Sequence, residues 1–115
     1  MGFPSAYALT LAVEVPAVVA VGAWLRVGSL GQLSAAAVSA NVVTVPVLWF
    51  VVVPLLQPRV GWLAAVLWGE SLVVVGEAAV YAVWLRCGVI LATGLSLGAN
   101  GLSVLVGLTL GDVGT

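Results

Sequence analysis

The sequence predicts an all-α, polytopic membrane protein in which a single domain, residues 1–115, crosses the bilayer as four helices. Three observations lead to this prediction. Hydrophobic residues make up 63% of the chain, charged residues only 6%, and the mean hydropathy is +1.31. Four apolar stretches each reach the roughly 20 residues that a span requires. Only short breaks separate them, so almost no mass is left outside the membrane.

The four predicted spans follow one another closely along the chain. They cover residues 7–27, 33–56, 60–86 and 88–111. The breaks between them contain Gly, Pro or Arg, which interrupt helices or favour the headgroup region. Because these connections are so short, consecutive spans are expected to be antiparallel neighbours. The apolar runs are continuous, and a β-barrel would require alternation of polar and apolar residues.

The arginines suggest an orientation in the membrane. Arg26 and Arg86 each follow an odd-numbered span and therefore share one side, while Arg59 lies on the other. The positive-inside rule favours a cytoplasmic location for the side with two arginines and places both termini outside, but a bias of two against one also suits insertion in both orientations. The first residues lack the basic start and cleavage site of a signal peptide, so the first span is expected to be retained.

Short motifs recur at a nearly constant interval. Trp-Leu-Arg occupies 24–26 and again 84–86, at an offset of 60. In the span that follows each motif, Asn-x-x-Thr occupies 41–44 and Asn-x-x-Ser occupies 100–103, at an offset of 59. Recurrence at a fixed interval is typical of an internal repeat.

The recurrence predicts that the chain is built from two related helical hairpins. The first comprises residues 7–56 and the second residues 60–111. A two-helix unit keeps its orientation when it repeats, so an axis along the membrane normal is expected to relate the halves. The alternative is chance similarity in a chain rich in Val, Leu, Ala and Gly.

Three acidic residues, Glu14, Glu70 and Glu77, fall within the predicted spans. A carboxylate in hydrocarbon costs at least a few kcal/mol, so these side chains should face the bundle interior or an oligomer interface. At about 1.5 Å rise per residue, Glu14 and Glu77 lie about 18 and about 14 Å from the arginines that end their spans. Asn41 and Asn100 lie about 12 to 18 Å from the same membrane face.

This common depth predicts a polar site near the midplane of the membrane. The residues expected to bind a substrate or ion are Glu14, Glu77, Asn41, Asn100, Thr44, Ser103, Glu70 and Tyr81. Tyr81 belongs to this set because it continues the helix face that carries the two acids of the third span. For the two asparagines, the alternative is a purely structural role in which they hydrogen-bond between helices.

Prolines and glycines add two further expectations. Pro16 and Pro46 each free the carbonyl four residues earlier, in Ala12 and Val42, which makes those oxygens possible ligands; a simple kink is the alternative. Gly94-x-x-x-Gly98 and Gly107-x-x-x-Gly111 would allow close helix approach.

Several classes of function are disfavoured by what the sequence lacks. It has no His, a single cysteine, Cys87, and none of the common catalytic or nucleotide-binding motifs, so neither an enzyme nor a cofactor protein is expected. The net charge of −1 offers no footprint for nucleic acid. Hard oxygen donors remain, and these suit a proton, Na⁺ or a hard divalent cation; the identity of any metal stays open.

The stretch from Ala12 to Val15, Ala-Val-Glu-Val, resembles part of the first helix of the small multidrug resistance family. That resemblance implies that Glu14 exchanges protons for cationic drugs. The arrangement of acids, amides and prolines along the whole chain is similar to that of small prokaryotic membrane proteins of unknown activity. This wider resemblance implies a multi-pass protein of a prokaryotic inner or plasma membrane.

Two functions are consistent with these features. The first is a small transporter or ion-conducting protein, coupled to protons or cations through its embedded glutamates. Such a protein is expected to be a homo-oligomer, because four short helices hardly enclose a pathway alone. The second is an accessory or assembly subunit of a larger membrane complex, in which the polar faces hold helices or other membrane subunits together.

Overall fold

The protein folds as a bundle of helices, in a computed structural model that describes residues 2–114, with the side chains of 108 and 110–114 excepted. The helices are α1 (Phe3–Trp24), α2 (Leu30–Val47), α3 (Val53–Val60), α4 (Trp62–Trp84) and α5 (Val89–Gly114). A π-helical turn, Leu48–Val52, makes α2 and α3 one continuous span, Leu30–Val60. Within the described residues, four helical spans are therefore long and apolar enough to cross a membrane, which confirms the predicted all-α architecture of a multi-pass protein.

The break between the second and third spans lies later than predicted. The sequence placed it at 57–59, but the helix continues through Pro58 and Arg59 as far as Val60. The Arg59 guanidinium donates a hydrogen bond to the Leu55 carbonyl at 2.6 Å, which supports this last turn. The chain turns instead at Gly61, whose φ of +85° is a conformation that glycine adopts without steric cost.

The first span also differs from its predicted bounds, because it begins at Phe3 and ends at Trp24. Arg26 adopts a left-handed φ of +58°, and the amides of Arg26 and Val27 bond back to carbonyls of the last helical turn. This is the Schellman arrangement that closes many helices. Ser29 and Gln32 then cap α2 reciprocally, at 3.2 and 3.0 Å, so that α2 begins three residues before the predicted start.

The spans pack in a ring in which α1 contacts α2 and α5, and α4 contacts α2, α3 and α5. The tightest part of the core lies toward the end of the bundle that carries Arg26 and Arg86. It consists of Val18, Leu33, Ala36, Ala37, Ala40, Tyr81, Leu85, Ala92, Leu95 and Ala99. The alanines of this core and Leu33 are at most 3% exposed, so small side chains bring the helices close together there.

Two glycines receive leucine side chains from a neighbouring helix. The Leu33 side chain occupies the space next to Gly22 where a Cβ would stand, and the Leu48 side chain does the same at Gly69. By contrast, Gly94 and Gly98 of α5 are exposed, and a Cβ added to either would meet no other atom within 4 Å. The helix approach expected at that glycine pair is therefore not made within this chain.

Candidate functional site

Glu77 lies at the centre of a hydrogen-bond network in the middle of the bundle. The residue is fully buried, at 0% exposure. Its Oε1 accepts a hydrogen bond from Asn100 Nδ2 at 2.5 Å, and its Oε2 accepts one from Thr44 Oγ1 at 2.9 Å. Both carboxyl oxygens are thus bonded, by donors from two different helices. Side-chain donors of this kind are what a carboxyl buried away from water requires.

Ser96 and Asn100 of α5 extend this network along their own helix and across to α4. Asn100 Nδ2 also donates to the Ser96 carbonyl at 2.8 Å. The Ser96 hydroxyl crosses to α4 and donates to the Val74 carbonyl at 2.7 Å. Polar groups therefore join α2, α4 and α5 at one level, although Ser96 was not among the predicted site residues. Its place on the polar face of α5, four residues before Asn100, was the signal that could have identified it.

Glu14 is equally buried, at 1% exposure, but its contacts are different. The Asn41 amide and the Ser103 hydroxyl are its polar side-chain neighbours, and Glu77 is a nearby acid. Nevertheless, Glu14 Oε2 has no hydrogen-bond partner among the described residues, and neither does the buried Asn41 Oδ1. The Asn41 amide nitrogen is engaged with its own helix, where it donates to the Ala37 carbonyl at 2.8 Å.

The surroundings of the two buried acids correspond residue type by residue type. Each has an asparagine from the span that follows it in the chain: Asn41 for Glu14 and Asn100 for Glu77. Each also has a hydroxyl from the other half of the chain, Ser103 for Glu14 and Thr44 for Glu77. The same chemistry is therefore present twice, but among the described residues both carboxyl oxygens are bonded at Glu77 and not at Glu14.

A small cavity, here called the central cavity, adjoins Glu14. Its volume is about 40 Å³. Its lining consists of Thr10, Glu14, Val45, Leu48, Trp49, Glu70, Val73, Asn100 and Ser103. A cavity needs about 10 to 15 Å³ to hold one water molecule, so this one has room for a few waters or a small cation. Two carboxyls, an amide and two hydroxyls supply oxygen donors to that space.

Glu70 lines the central cavity and two further spaces. One, here called the outer cavity, has a volume of about 170 Å³ and is lined by Leu48, Trp49, Val53, Trp62, Val66 and Glu70. The other, the lateral groove between α4 and α5, measures about 550 Å³; Ser71 and Asn100 are among its lining residues. Glu70 itself is half-buried, whereas Glu14 and Glu77 are buried. Glu70 is therefore the acid that borders the outer cavity and the lateral groove as well as the centre of the bundle.

Tyr81 and the proline-freed carbonyls occupy different positions relative to this site. The Tyr81 ring is fully buried in the apolar core, and its hydroxyl has no hydrogen-bond partner among the described residues. Ala12 and Val42 both lie at exposed positions. Their faces of α1 and α2 are turned away from the bundle centre, so the structure does not bring these carbonyl positions to the central cavity.

The π-helical turn is a second part of the site that was not predicted from the sequence. It lies between two prolines: Pro46 in the last turn of α2 and Pro54 in the first turn of α3. Neither proline has an N–H to donate, so the regular α-helical bonding is interrupted on both sides. The Val53 amide bonds to the Leu48 carbonyl, five residues earlier, which is the spacing of a π-helix. In the sequence, the spacing of these two prolines, eight residues apart, was the feature that could have indicated an irregular turn between them.

Phe3 holds the π-helical turn against the start of α1. Its ring centroid lies 5.8 Å from that of Trp49 and 4.6 Å from that of Phe50, in edge-to-face arrangements. Tyr7 adds a third ring, 5.4 Å from Phe3. This aromatic cluster packs against Trp49, which lines both the central and the outer cavity.

The chemistry of the site is that of hard oxygen donors. Among the side chains that the structure describes, no three His, Cys, Asp or Glu residues cluster closely enough to hold a metal ion. Comparison of the chain with protein-family models, with curated proteins and with solved structures finds no match. The geometry of the buried carboxyls is therefore the basis for any statement about function.

Proposed function

We propose that this protein is a small transporter or ion-conducting protein of a prokaryotic cell membrane, coupled to protons or small cations through Glu14 and Glu77. The observation that carries the proposal is the unbonded Glu14 Oε2, buried beside a polar cavity. Buried polar groups are normally hydrogen-bonded, and ionisable groups inside a membrane commonly belong to ion or proton pathways. A proton or cation at Glu14 would supply the missing partner.

A proton is the simplest ligand that satisfies both unbonded atoms at once. Asn41 Oδ1 and Glu14 Oε2 are both acceptors, and two acceptors cannot bond to each other. A proton on the carboxyl would convert Glu14 into a donor for the amide oxygen. A small cation in the central cavity would instead take Glu14 Oε2 as a ligand, with the Ser103 and Thr10 hydroxyls, which line the same cavity, completing the shell.

We also propose that the chain is a duplicated helical hairpin. In support, Arg26 and Arg86 end their spans with nearly the same left-handed φ, +58° and +53°. The similar neighbours of the two buried acids also support duplication. Glu77 lies 63 residues after Glu14, whereas the Trp-Leu-Arg motifs are 60 residues apart. The two acids therefore do not occupy equivalent positions in the two halves but differ by three residues, about one helical turn.

Measurement of flux in proteoliposomes tests the functional proposal. Glu14→Gln and Glu77→Gln remove the titrating groups with little change of shape, and each is expected to lower proton-coupled flux at least tenfold. Ser71→Ala is the matched control, because the Ser71 hydroxyl donates to the Leu67 carbonyl of its own helix and the residue is exposed. Unchanged flux in both glutamine variants would show that the proposal is wrong.

The accessory-subunit alternative makes a different prediction for the purified protein. A subunit that depends on foreign partners should be unstable without them, whereas a homo-oligomeric transporter should form a defined species in mild detergent. The exposed glycine face of α5 around Gly94 and Gly98 is suited to contact with a second copy. Native mass spectrometry in detergent distinguishes the two cases by stoichiometry.

A further inference from the structure

The three cavities that meet at Glu70 suggest how a ligand reaches the buried acids. The outer cavity and the central cavity share three lining residues: Leu48, Trp49 and Glu70. Two of these belong to the π-helical turn and the third to α4. These three residues therefore lie between the polar centre of the bundle and the outer cavity.

The outer cavity leads toward one end of the bundle. Trp62, which lines it, is the first residue of α4 and follows the exposed Gly61. Glu70 lies eight residues further along the same helix, about 12 Å deeper. The carboxyl thus forms the inner end of a mainly apolar passage that begins where headgroups and water are found. Apolar constrictions of this kind can gate ions by wetting and dewetting.

The opposite end of the bundle is packed closed. Between the buried acids and the Arg26 and Arg86 end lies the alanine-rich core, in which Leu33 and Ala36 have no exposed surface. The lateral groove provides a different opening, but it runs along the outside of α4 and α5 and therefore faces the hydrocarbon. A proton or hard cation arrives from water, so the outer cavity is the better entrance.

We infer that Glu70, together with Leu48 and Trp49, forms the gate through which a proton or small hard cation passes between the outer cavity and the Glu14 site. This inference rests on the proposed function. It assigns Glu70 a role distinct from that of the two buried acids: it receives the ion from the Gly61 end and transfers it into the central cavity. The π-helical turn supplies the movable side of the gate, because its bonding is already interrupted by prolines on both sides.

Cysteine accessibility tests the route without requiring transport. In a background in which the sole cysteine is replaced, Cys87→Ser, we would compare Glu70→Cys with Ser71→Cys. Their reaction with a membrane-impermeant, positively charged methanethiosulfonate would be followed by intact-protein mass spectrometry. Ser71 is the neighbouring residue and lines the lateral groove but not the outer cavity. The expected result is labelling of Glu70→Cys at least tenfold faster than labelling of Ser71→Cys.

A blocking substitution provides the second arm. Val66 lines the outer cavity, so Val66→Trp should fill part of its 170 Å³ and slow the labelling of Glu70→Cys at least tenfold. Val75→Trp is the control, because Val75 lies on the same helix but is 68% exposed on its outer surface. Equal labelling of the two cysteine positions, or no effect of Val66→Trp, would overturn the assigned route.

Two further comparisons keep the outcomes distinct. If Glu70→Cys fails to assemble, the flux of Val66→Trp against that of Val75→Trp in the otherwise unaltered chain decides the question, with a tenfold loss expected only for the former. If Glu14→Gln and Glu77→Gln leave flux unchanged while Glu70→Cys is labelled as expected, the proposed function fails and the access route stands. If the glutamine variants lose flux as expected but Glu70→Cys remains unlabelled, the access route is refuted and the proposed function stands.

Discussion

Replacement of Glu77 by Leu should destabilise the bundle, whereas replacement by Gln should not. Both oxygens of Glu77 accept hydrogen bonds, from Asn100 at 2.5 Å and from Thr44 at 2.9 Å, and the side chain is fully buried. Gln keeps an acceptor for Asn100, and its amide nitrogen can donate to the Thr44 hydroxyl, which is able to act as either donor or acceptor. Leu has a similar size but offers neither group.

The size of the effect follows from the two bonds. Side-chain hydrogen bonds between membrane helices contribute about 0.6 kcal/mol on average and at most about 1.7 kcal/mol. Loss of two such bonds therefore amounts to about 1 to 3 kcal/mol. Asn100 retains its bond to the Ser96 carbonyl, which moderates the loss on that side. For Glu77→Gln we expect a change in the free energy of unfolding below about 1 kcal/mol.

The assay is reversible unfolding in mixed micelles, with an increasing proportion of denaturing detergent and tryptophan fluorescence as the signal. The chain contains five tryptophans, so the transition is readily followed. Equal stability of the Leu and Gln variants would refute the reasoning, because it would mean that the bonds to Glu77 contribute nothing to the folded bundle. A large loss in the Gln variant would instead show that the charge itself holds the helices together.

Two further predictions concern packing. Gly22→Ala places a methyl group where a leucine side chain already lies and should lower the free energy of unfolding by about 1 to 3 kcal/mol. Gly94→Ala places its methyl group in open space and should leave stability unchanged or raise it by up to about 1 kcal/mol. Similar losses of stability for the two variants in the unfolding assay would contradict this prediction. Phe3→Ala removes the two edge-to-face pairs that Phe3 makes with Trp49 and Phe50. Because each pair contributes about 1 kcal/mol, amide hydrogen exchange in the π-helical turn should become about thirtyfold faster. Unchanged exchange would show that the turn is held by other contacts.

The positions of the polar residues could be predicted because helix geometry fixes them. With a constant rise per residue, the depth of Glu14 or Asn100 depends only on a count from the end of the helix. The periodicity of the helix likewise places Glu70, Glu77 and Tyr81 on one face. Which hydroxyl meets which acid was not predictable, since that depends on how neighbouring helices are rotated about their axes. Thr44 bonds to an acid of the other half of the chain rather than its own.

The irregular parts of the backbone were harder to predict for a different reason. Pro58 indicated a break, yet a proline removes only one backbone bond, and the helix continues to Gly61, where the chain can take a positive φ. The π-helical turn results from the combined effect of Pro46 and Pro54, each of which alone indicates only a kink. The glycine pair in α5 permits close approach of a helix, but the sequence does not say whether that helix belongs to the same chain.

The two asparagines offer a way to separate function from structure, because they are similarly buried but differently bonded. Asn100 bonds to Glu77 on another helix, so Asn100→Ala should cost at least about 1 kcal/mol of stability as well as flux. Asn41 donates its amide hydrogen bond to its own helix and leaves its oxygen without a partner among the described residues.

Asn41→Ala removes the same number of atoms and is therefore the matched comparison. It should lower flux at least tenfold with a smaller loss of stability than Asn100→Ala, because the unbonded oxygen it removes contributes no hydrogen bond to the folded state. Unfolding and flux measurements on the two variants check this directly. If Asn41→Ala were the more destabilising change and left flux intact, Asn41 would be a structural residue, and Glu14 Oε2 alone would then point to a ligand at this site.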